Sequence, residues 1–318
     1  MSSLDYFMDA KKSVLVIGAA GMDIIANMVR SPANGTSMPA SIRSSFGGVA
    51  RNIAENLSRL GLDVFLMTIV GDDFYGKALL DKIEEIGVDT RACFILDKQR
   101  TGIYLAALDH ERNVRLAMGD MQILKYLSSK KIQQFSDLFS NVGLVYLDAN
   151  IPPKTIRTIF DLAFQEKVPV CVDPTSTLLA TRFRPYLDQV MMVNPNIYEA
   201  AILCNHGVYT NEPDSGLQAA RCLVNRGVRI AIVSLAESGV CYATAETSGY
   251  IPAINTKIID PIGVGDALSA ATIFGLLNQM PLDESIRLGV SAATLTLRNI
   301  GTVYPGLTLD RLYSELVI

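Results

Sequence analysis

Six short runs, almost wholly apolar, lie at residues 14–18, 64–70, 144–147, 168–172, 190–193 and 230–235, each separated from the next by enough chain for a helix. Continuous apolar runs, as opposed to alternating ones, suit strands buried on both faces. The clearest intervening helix is 49–60, where Ala50, Ile53, Ala54, Leu57 and Leu60 share one face and Gly61 follows as a C-terminal cap. Such alternation predicts an α/β fold in three layers, a mostly parallel central sheet between helices. The 318 residues, 49% hydrophobic and 19% charged, supply enough apolar surface for that core and exclude a disordered chain.

Two segments break the alternation. Residues 24–46 contain Ser-Pro-Ala-Asn-Gly at 31–35 and alternating residues with no helical period. Residues 92–118 read as hairpins built from Phe94-Ile-Leu, Ile103-Tyr-Leu-Ala-Ala-Leu and Val114-Arg-Leu. Together they predict a small β-sheet over the main layer, serving as a lid, a dimer interface or both, on a single domain spanning 1–318.

The formal net charge of −4 leaves no clustered basic surface, so a nucleic-acid partner is not expected and an anionic ligand must be held by local devices. Cys93, Cys171, Cys204, Cys222 and Cys241 include no C-x-x-C pair and fall mostly in apolar runs, as reduced core residues of a cytoplasmic protein do. With only His110 and His206, histidine clusters and Ser-His-Asp relays have little to draw on. Lys11-Lys12 and the apolar run after them end at Asp23, so a buried first strand is expected there and not a leader. No apolar stretch approaches the roughly 20 residues that span a bilayer, and no membrane partner is expected.

The segment richest in chemistry is Asp260-Pro-Ile-Gly-Val-Gly-Asp266, which opens directly into an apolar helix. A helix start offers unpaired backbone N–H groups and the positive end of the dipole, and Gly263 and Gly265 let a phosphate come close. Asp266, in the first turn, could take a proton from a hydroxyl attacking that phosphate. By residue type alone it fits a helix cap equally well. A second glycine-entered helix is Phe46-Gly-Gly-Val-Ala-Arg-Asn-Ile-Ala-Glu-Asn-Leu-Ser-Arg-Leu-Gly61, with Asn52 in its first turn. A lone Gly-Gly there would usually mark an ordinary packing helix.

Gly-Gly-x-x-x-Asn-x-Ala-x-x-Leu-x-x-Leu-Gly followed at this distance by D-x-x-G-x-G-D resembles the paired signatures of the ribokinase-like (pfkB) carbohydrate kinase family, over nearly the whole chain. The resemblance implies an ATP-dependent phosphotransferase with Mg2+, acting on a small-molecule sugar or nucleoside. Asp266 would be the general base, with Gly263, Val264 and Gly265 forming the anion hole. Asp23, Gly47, Gly48 and Asn52 would hold the acceptor, and Asp148, at a strand end, would touch it. Asn196-Ile-Tyr-Glu199 matches the family spacing that organises nucleotide phosphates and, through water on Glu199, magnesium. These two residues also make an ordinary helix cap with a surface acid. Val233-Ser-Leu-Ala-Glu-Ser-Gly239 resembles the nucleotide-lining strand and turn, which assigns Ser234 and Gly239. Some relatives bind a monovalent cation at the first Asp of the C-terminal motif, so Asp260 is the expected K+ position. A homodimer through the lid follows by analogy.

Within the family, Arg51 before Asn52, Val70-Gly-Asp-Asp-Phe-Tyr-Gly76, Tyr104-Leu-Ala-Ala-Leu-Asp109, Asp120-Met121 and Val172-Asp-Pro-Thr-Ser176 are most similar to the pseudouridine kinase subgroup. That implies pseudouridine as acceptor and its 5'-phosphate as product. The chain departs from the subgroup at Gly21 and Gly119, where such kinases carry Asn, and Pro261 and Ile262 replace two hydroxyl residues. Ribose, fructose, inosine or adenosine therefore stay open as acceptors, as does a non-catalytic sensor that kept the pocket. Gly18-Ala-Ala-Gly21 lacks the third glycine of a dinucleotide fingerprint, which disfavours a dehydrogenase.

Overall fold

The computed structural model describes residues 11–30 and 35–316. The first half of the chain runs β1 (Ser13–Ile17), β2 (Gly21–Met28), β3 (Ala40–Gly47), α1 (Val49–Arg59), β4 (Asp63–Met67), β5 (Ile69–Gly71), α2 (Phe74–Glu85), β6 (Phe94–Leu96), β7 (Gly102–Leu108) and β8 (Val114–Asp120). Then follow α3 (Ser129–Gln133), α4 (Asp137–Asn141), β9 (Leu144–Asp148), α5 (Pro153–Glu166), β10 (Val170–Asp173), β11 (Val190–Val193), α6 (Ile197–Cys204) and α7 (Pro213–Asn225). The last part holds β12 (Ile230–Ser234), β13 (Val240–Ala243), β14 (Ser248–Ile251), α8 (Val264–Leu277), α9 (Leu282–Leu297) and α10 (Leu309–Glu315).

The main sheet has eight strands in the order β14-β13-β12-β11-β10-β9-β1-β4. From β4 to β12 every pairing is parallel, and β13 and β14 extend that edge as an antiparallel hairpin. Because side chains alternate along a strand, β1 feeds both faces. Leu15 and Ile17 join the cluster with α5, α6 and α7, whereas Val14 and Val16 join the cluster with α1, α8 and α9. This is the expected three-layer α/β architecture. All five cysteines are free.

From β1 the chain adds β4 on one side and later β9 on the other, so the strand order reverses between β1 and β9. The carboxyl ends of strands at such a switch point are where ligands bind in open α/β sheets. Over that edge lies the second sheet, β3-β2-β7-β8, with β2 and β7 parallel and the outer pairs antiparallel.

The small sheet differs in extent from the expected excursions 24–46 and 92–118. It begins at Gly21, with only three residues between it and the end of β1, and so takes in Asp23, expected to follow the first strand of the main sheet. Phe94-Ile-Leu leaves it altogether and pairs with Ile69–Gly71 as a two-stranded parallel ribbon. There Phe94 packs edge-on against Phe135, with ring centroids 5.8 Å apart. The apolar run at 64–70 is cut at Thr68, whose hydroxyl donates to the Gly18 carbonyl at 2.6 Å. The turn residues 31–34 lie outside the described residues. Among the described residues no helix is long and apolar enough to cross a membrane.

Candidate active site

Twelve residues after β14 the chain reaches Gly263, the N-cap of α8. Its φ of +81° is a left-handed value, and a Cβ there would stand 2.0 Å from the Thr302 carbonyl oxygen. Only glycine fits. No side chain caps this helix, so its leading amides face outward as an anion site, and a Cβ built on Gly265 meets nothing within 4 Å. Asp266, one residue further, is buried; its Oδ2 accepts a 2.6 Å hydrogen bond from Asn52 Nδ2.

Asn52 is aimed by its neighbours. It sits in the first turn of α1, entered through Gly48 at φ +94°. Its Oδ1 faces donors only, the Arg51 guanidinium and the Thr302 hydroxyl at 2.9 Å, which turns the amide nitrogen toward Asp266. Arg51 is buried and also bonds Glu55 and the Phe46 carbonyl. Helices α1 and α8 approach closely here through Ala50, Ala54, Ala267 and Ala271, small residues that let the two first turns meet.

Burial sets the electrostatics. It pushes Asp266 up to about 7, against the opposing Asn52 hydrogen bond, with the Asp23 charge adding to the rise. Asp23 is likewise raised to about 7 by burial; Arg51 opposes this and Asp260 reinforces it. The same desolvation lowers Arg51, with Glu55 as the main counterweight. A carboxyl titrating near neutrality suits a general base, which must both take and release a proton.

Asp23 projects from β2 under the small sheet. A Cβ on Gly47 would fall 2.1 Å from its carboxyl, so that glycine gives the acid its place. Asp23, Gly48, Asn52, Gly263 and Asp266 line one side of a cavity of about 980 Å³. Tyr104, Met118 and Gly119 of the small sheet form the facing wall, and Met121, Leu178, Asn150 and Arg182 extend it outward. Ser45, opposite Asp23 in register, has a buried hydroxyl without a hydrogen-bond partner among the described residues.

The other sequence candidates sit around this centre. Asp148 ends β9 at the switch point but does not line the cavity: its carboxylate is fully buried, accepting from the Ala19 amide at 2.6 Å and the Asn150 amide at 2.8 Å. Asn196 and Glu199 form a reciprocal capping box on α6, with Asn196 Oδ1 accepting from the Glu199 amide and Glu199 Oε2 from the Asn196 amide, both at 2.9 Å. Ser234 ends the neighbouring β12 and bridges to Asn196, and Gly239 turns the chain into β13. These four share the carboxyl edge of the sheet but do not line this cavity. Asp260 is fully buried and ion-paired with Arg43 of β3.

Three residues of the site carried no motif, and a fourth, Asp173, lay only in the subgroup-like segment 172–176. Thr302 and Arg43 reach it from 250 and 217 residues away in sequence. Asn194 ties the end of β11 to α8 through Ser269 Oγ at 2.9 Å. Asp173, at the end of β10, is raised well above the usual carboxylate range by burial and the Asp266 and Glu199 charges. An acid closing an apolar strand was a readable signal for Asp173; for the other three there was none.

The sequence pattern of the pfkB family carbohydrate kinases matches residues 11–308. The pseudouridine kinase of Escherichia coli strain K12 is 30% identical over 308 residues, 96% of this chain and 97% of that protein. The guanosine-inosine kinase of Exiguobacterium acetylicum is 24% identical over 282 residues, 88% of this chain and 92% of that one. Ribokinase from Giardia lamblia superposes with a TM-score of 0.85 at 17% identity, covering 96% of this chain and 100% of that one, a likeness of fold. An uncapped helix start facing a buried Asn-Asp pair is thus framed by a pattern that runs through nearly all of the sequence, and the chain belongs to the pfkB family of carbohydrate kinases.

Proposed function

We propose that this kinase transfers the γ-phosphoryl group of ATP to the primary hydroxyl of pseudouridine, giving pseudouridine 5'-phosphate. Membership of the family makes the protein an ATP-dependent sugar or nucleoside kinase; the acceptor is the proposal. The observation that carries it is the 2.6 Å Asn52–Asp266 contact beside the uncapped amides of α8, on the floor of a cavity of about 980 Å³. That volume, with Tyr104, Met118, Met121 and Leu178 as apolar walls beyond Asp23, suits a base attached to a pentose better than a lone sugar. The pseudouridine kinase relative supports the same acceptor.

In the proposed reaction Asp23 and Asn52 hold ribose hydroxyls, with Gly47 and Gly48 allowing close approach and Asp148 fixing the Ala19 backbone beneath. Asp266 accepts the proton of the attacking hydroxyl. That oxygen forms a bond to the γ-phosphorus as the bond to the bridging β,γ-oxygen breaks and ADP leaves. The Gly263, Val264 and Gly265 amides receive charge developing on the phosphoryl oxygens. Asn196, Ser234 and Gly239 would contact the nucleotide. Among the described residues no three acidic, His or Cys side chains form a ready metal cage, and Mg2+ held by one carboxylate, water and phosphates needs none. Glu199 would be that carboxylate, acting through water, and the ion would neutralise phosphate charge. The small sheet acts as a lid that excludes water from the reacting groups.

The test is ATP consumption with pseudouridine, uridine, adenosine, inosine, ribose and fructose, alongside Asp266→Asn. Turnover with pseudouridine, lost in the variant, is expected. A second reading, another nucleoside or a free sugar as acceptor, is favoured by the missing side chains at Gly21 and Gly119 and would show as turnover elsewhere in the panel.

A further inference from the structure

Asp260 opens the loop that delivers Gly263 to α8, and its carboxylate is engaged on both oxygens. Oδ1 accepts from the Ile262 amide at 3.2 Å, and Oδ2 accepts from the Gly301 amide at 3.0 Å and from Arg43 Nη2. A K+ ion at such a place needs oxygens to replace its hydration shell. Pro261 and Ile262 bring no side-chain oxygen, and the groups already on the carboxylate are N–H donors, one of them cationic. The residues present do not fit a monovalent metal; they form an internal ion pair.

The source of the cation matters as much as its sign. Arg43 stands in β3 directly opposite Ile25 of β2, so the two side chains leave the same face of the small sheet. Ile25 packs with Ala106 and Leu108 into an apolar cluster, and Ile262 of the loop rests against it. One face of the ladder therefore grips the loop twice: by charge at Asp260 and by apolar contact at Ile262. The next residue is Gly263, the start of the anion site.

We propose that Arg43 is the fixed cation of this loop, so that the protein works without K+ and its phosphoryl-binding amides are ordered by the small sheet itself. Arg43 is a positioning residue: it touches neither nucleotide nor acceptor and acts through Asp260. The proposal rests on the kinase reading above, with pseudouridine as the assay substrate.

Turnover and thermal melting of the full chain, measured in KCl and in tetramethylammonium chloride at equal ionic strength, decide it. Wild type should be indifferent to the exchange in both readouts. Arg43→Gln, which frees Asp260 Oδ2 of its cation and adds an amide oxygen beside it, should lose roughly ten- to a hundredfold in kcat in tetramethylammonium chloride, the scale of a lost charge-assisted contact, and recover in KCl with a raised Tm. Arg43→Lys, which keeps the charge, should retain more activity than Arg43→Gln in the K+-free salt. A wild type that needs K+, an Arg43→Gln enzyme at full rate without it, or equal loss in the Gln and Lys variants would overturn the proposal. If wild type phosphorylates no pseudouridine, the acceptor reading fails alone, and melting still decides. A K+-dependent Tm in Arg43→Gln but not in wild type supports Arg43 as the cation; the same response in both proteins, or in neither, refutes it.

Discussion

Asp266 is a carboxyl placed where ionisation is unfavourable, and that fixes the sign of two pH effects. Its ordinary value of 3.8 rises to about 7 in the fold, as does that of Asp23. Between those limits the native state keeps protons that the unfolded chain has released, so these groups make stability fall as pH rises from about 4 to 7. On the proposed mechanism activity needs Asp266 ionised and should run the opposite way, with kcat/KM climbing through the same window to a plateau above about 7. Asp266→Asn separates the two. It should lower kcat by about 10²–10⁴-fold, the usual share of general base catalysis, yet leave Tm equal or higher at pH 8, because Asn can accept the Asn52 hydrogen bond without a buried charge. A variant that melts well below wild type at pH 8 would mean that the carboxylate is a structural partner of Asn52 first. Arg51 belongs to the same group. Its guanidinium holds Asn52 Oδ1, so Arg51→Met should reduce kcat by letting the amide turn, and Asp23, relieved of its main opposing charge, should titrate higher still.

At the scale of single elements, the small sheet gives two of the chain's departures from its subgroup different physical meanings. Gly21 pairs with Gly47 on one side and Gly102 on the other, and a Cβ there would stand 2.3 Å from the Gly102 carbonyl oxygen. Gly119 is open: its Cβ would meet only Tyr104 Cδ2, at 3.8 Å. Gly21→Asn should therefore lose about 1–3 kcal/mol as an overpacked strand crossing, whereas Gly119→Asn should stay within about 0.5 kcal/mol of wild type, both read from urea midpoints. Since Gly119 lines the cavity, its Asn variant should also change KM for a nucleoside acceptor; an unchanged KM would place the base elsewhere. What could be read from sequence here follows the same division. Strands buried on both faces announce themselves by composition, and 14–18, 144–147 and 190–193 lie within one residue of β1, β9 and β11. Partner choice leaves no such trace. Phe94-Ile-Leu looks like any short hairpin strand, yet it pairs with β5, with Phe94 packed on Phe135. The Gly-Gly and D-x-x-G-x-G-D segments could be read because each holds one left-handed position, Gly48 and Gly263, that restricts it to glycine. Arg43 and Thr302 could not, because a surface-like Arg in a strand and a Thr in a loop become site residues only through contacts made across the whole chain.

The small sheet also sets what the whole molecule can do, because its outer face is apolar while its inner face carries the charged groups of the site. Its inner face, with Ile25 and Ala106, closes on the cavity and the Asp260 loop. On its outer face Ile42, Ala26, Ala107 and Leu116 fall in one cross-strand row, with Ile24 and Leu105 in the next. Ile42 is 68% exposed and Leu116 52%, and every residue of the edge strand β8 is exposed. A contiguous apolar face beside an unpaired edge favours association. We propose a second copy as the occupant, since two-fold stacking would cover one such face with another and close on itself without forming fibres. Light scattering coupled to size exclusion should give twice the chain mass at micromolar concentration, and Ile42→Lys with Leu116→Lys should give a monomer. Because β7 and β8 carry Tyr104 and Gly119 on the inner face of the same strands, the monomer should bind its acceptor with a raised KM and a largely preserved fold. A wild-type monomer would leave the outer face to some other partner; a dimer indifferent to both lysines would place the contact elsewhere on the molecule and free the small sheet to move as a lid alone.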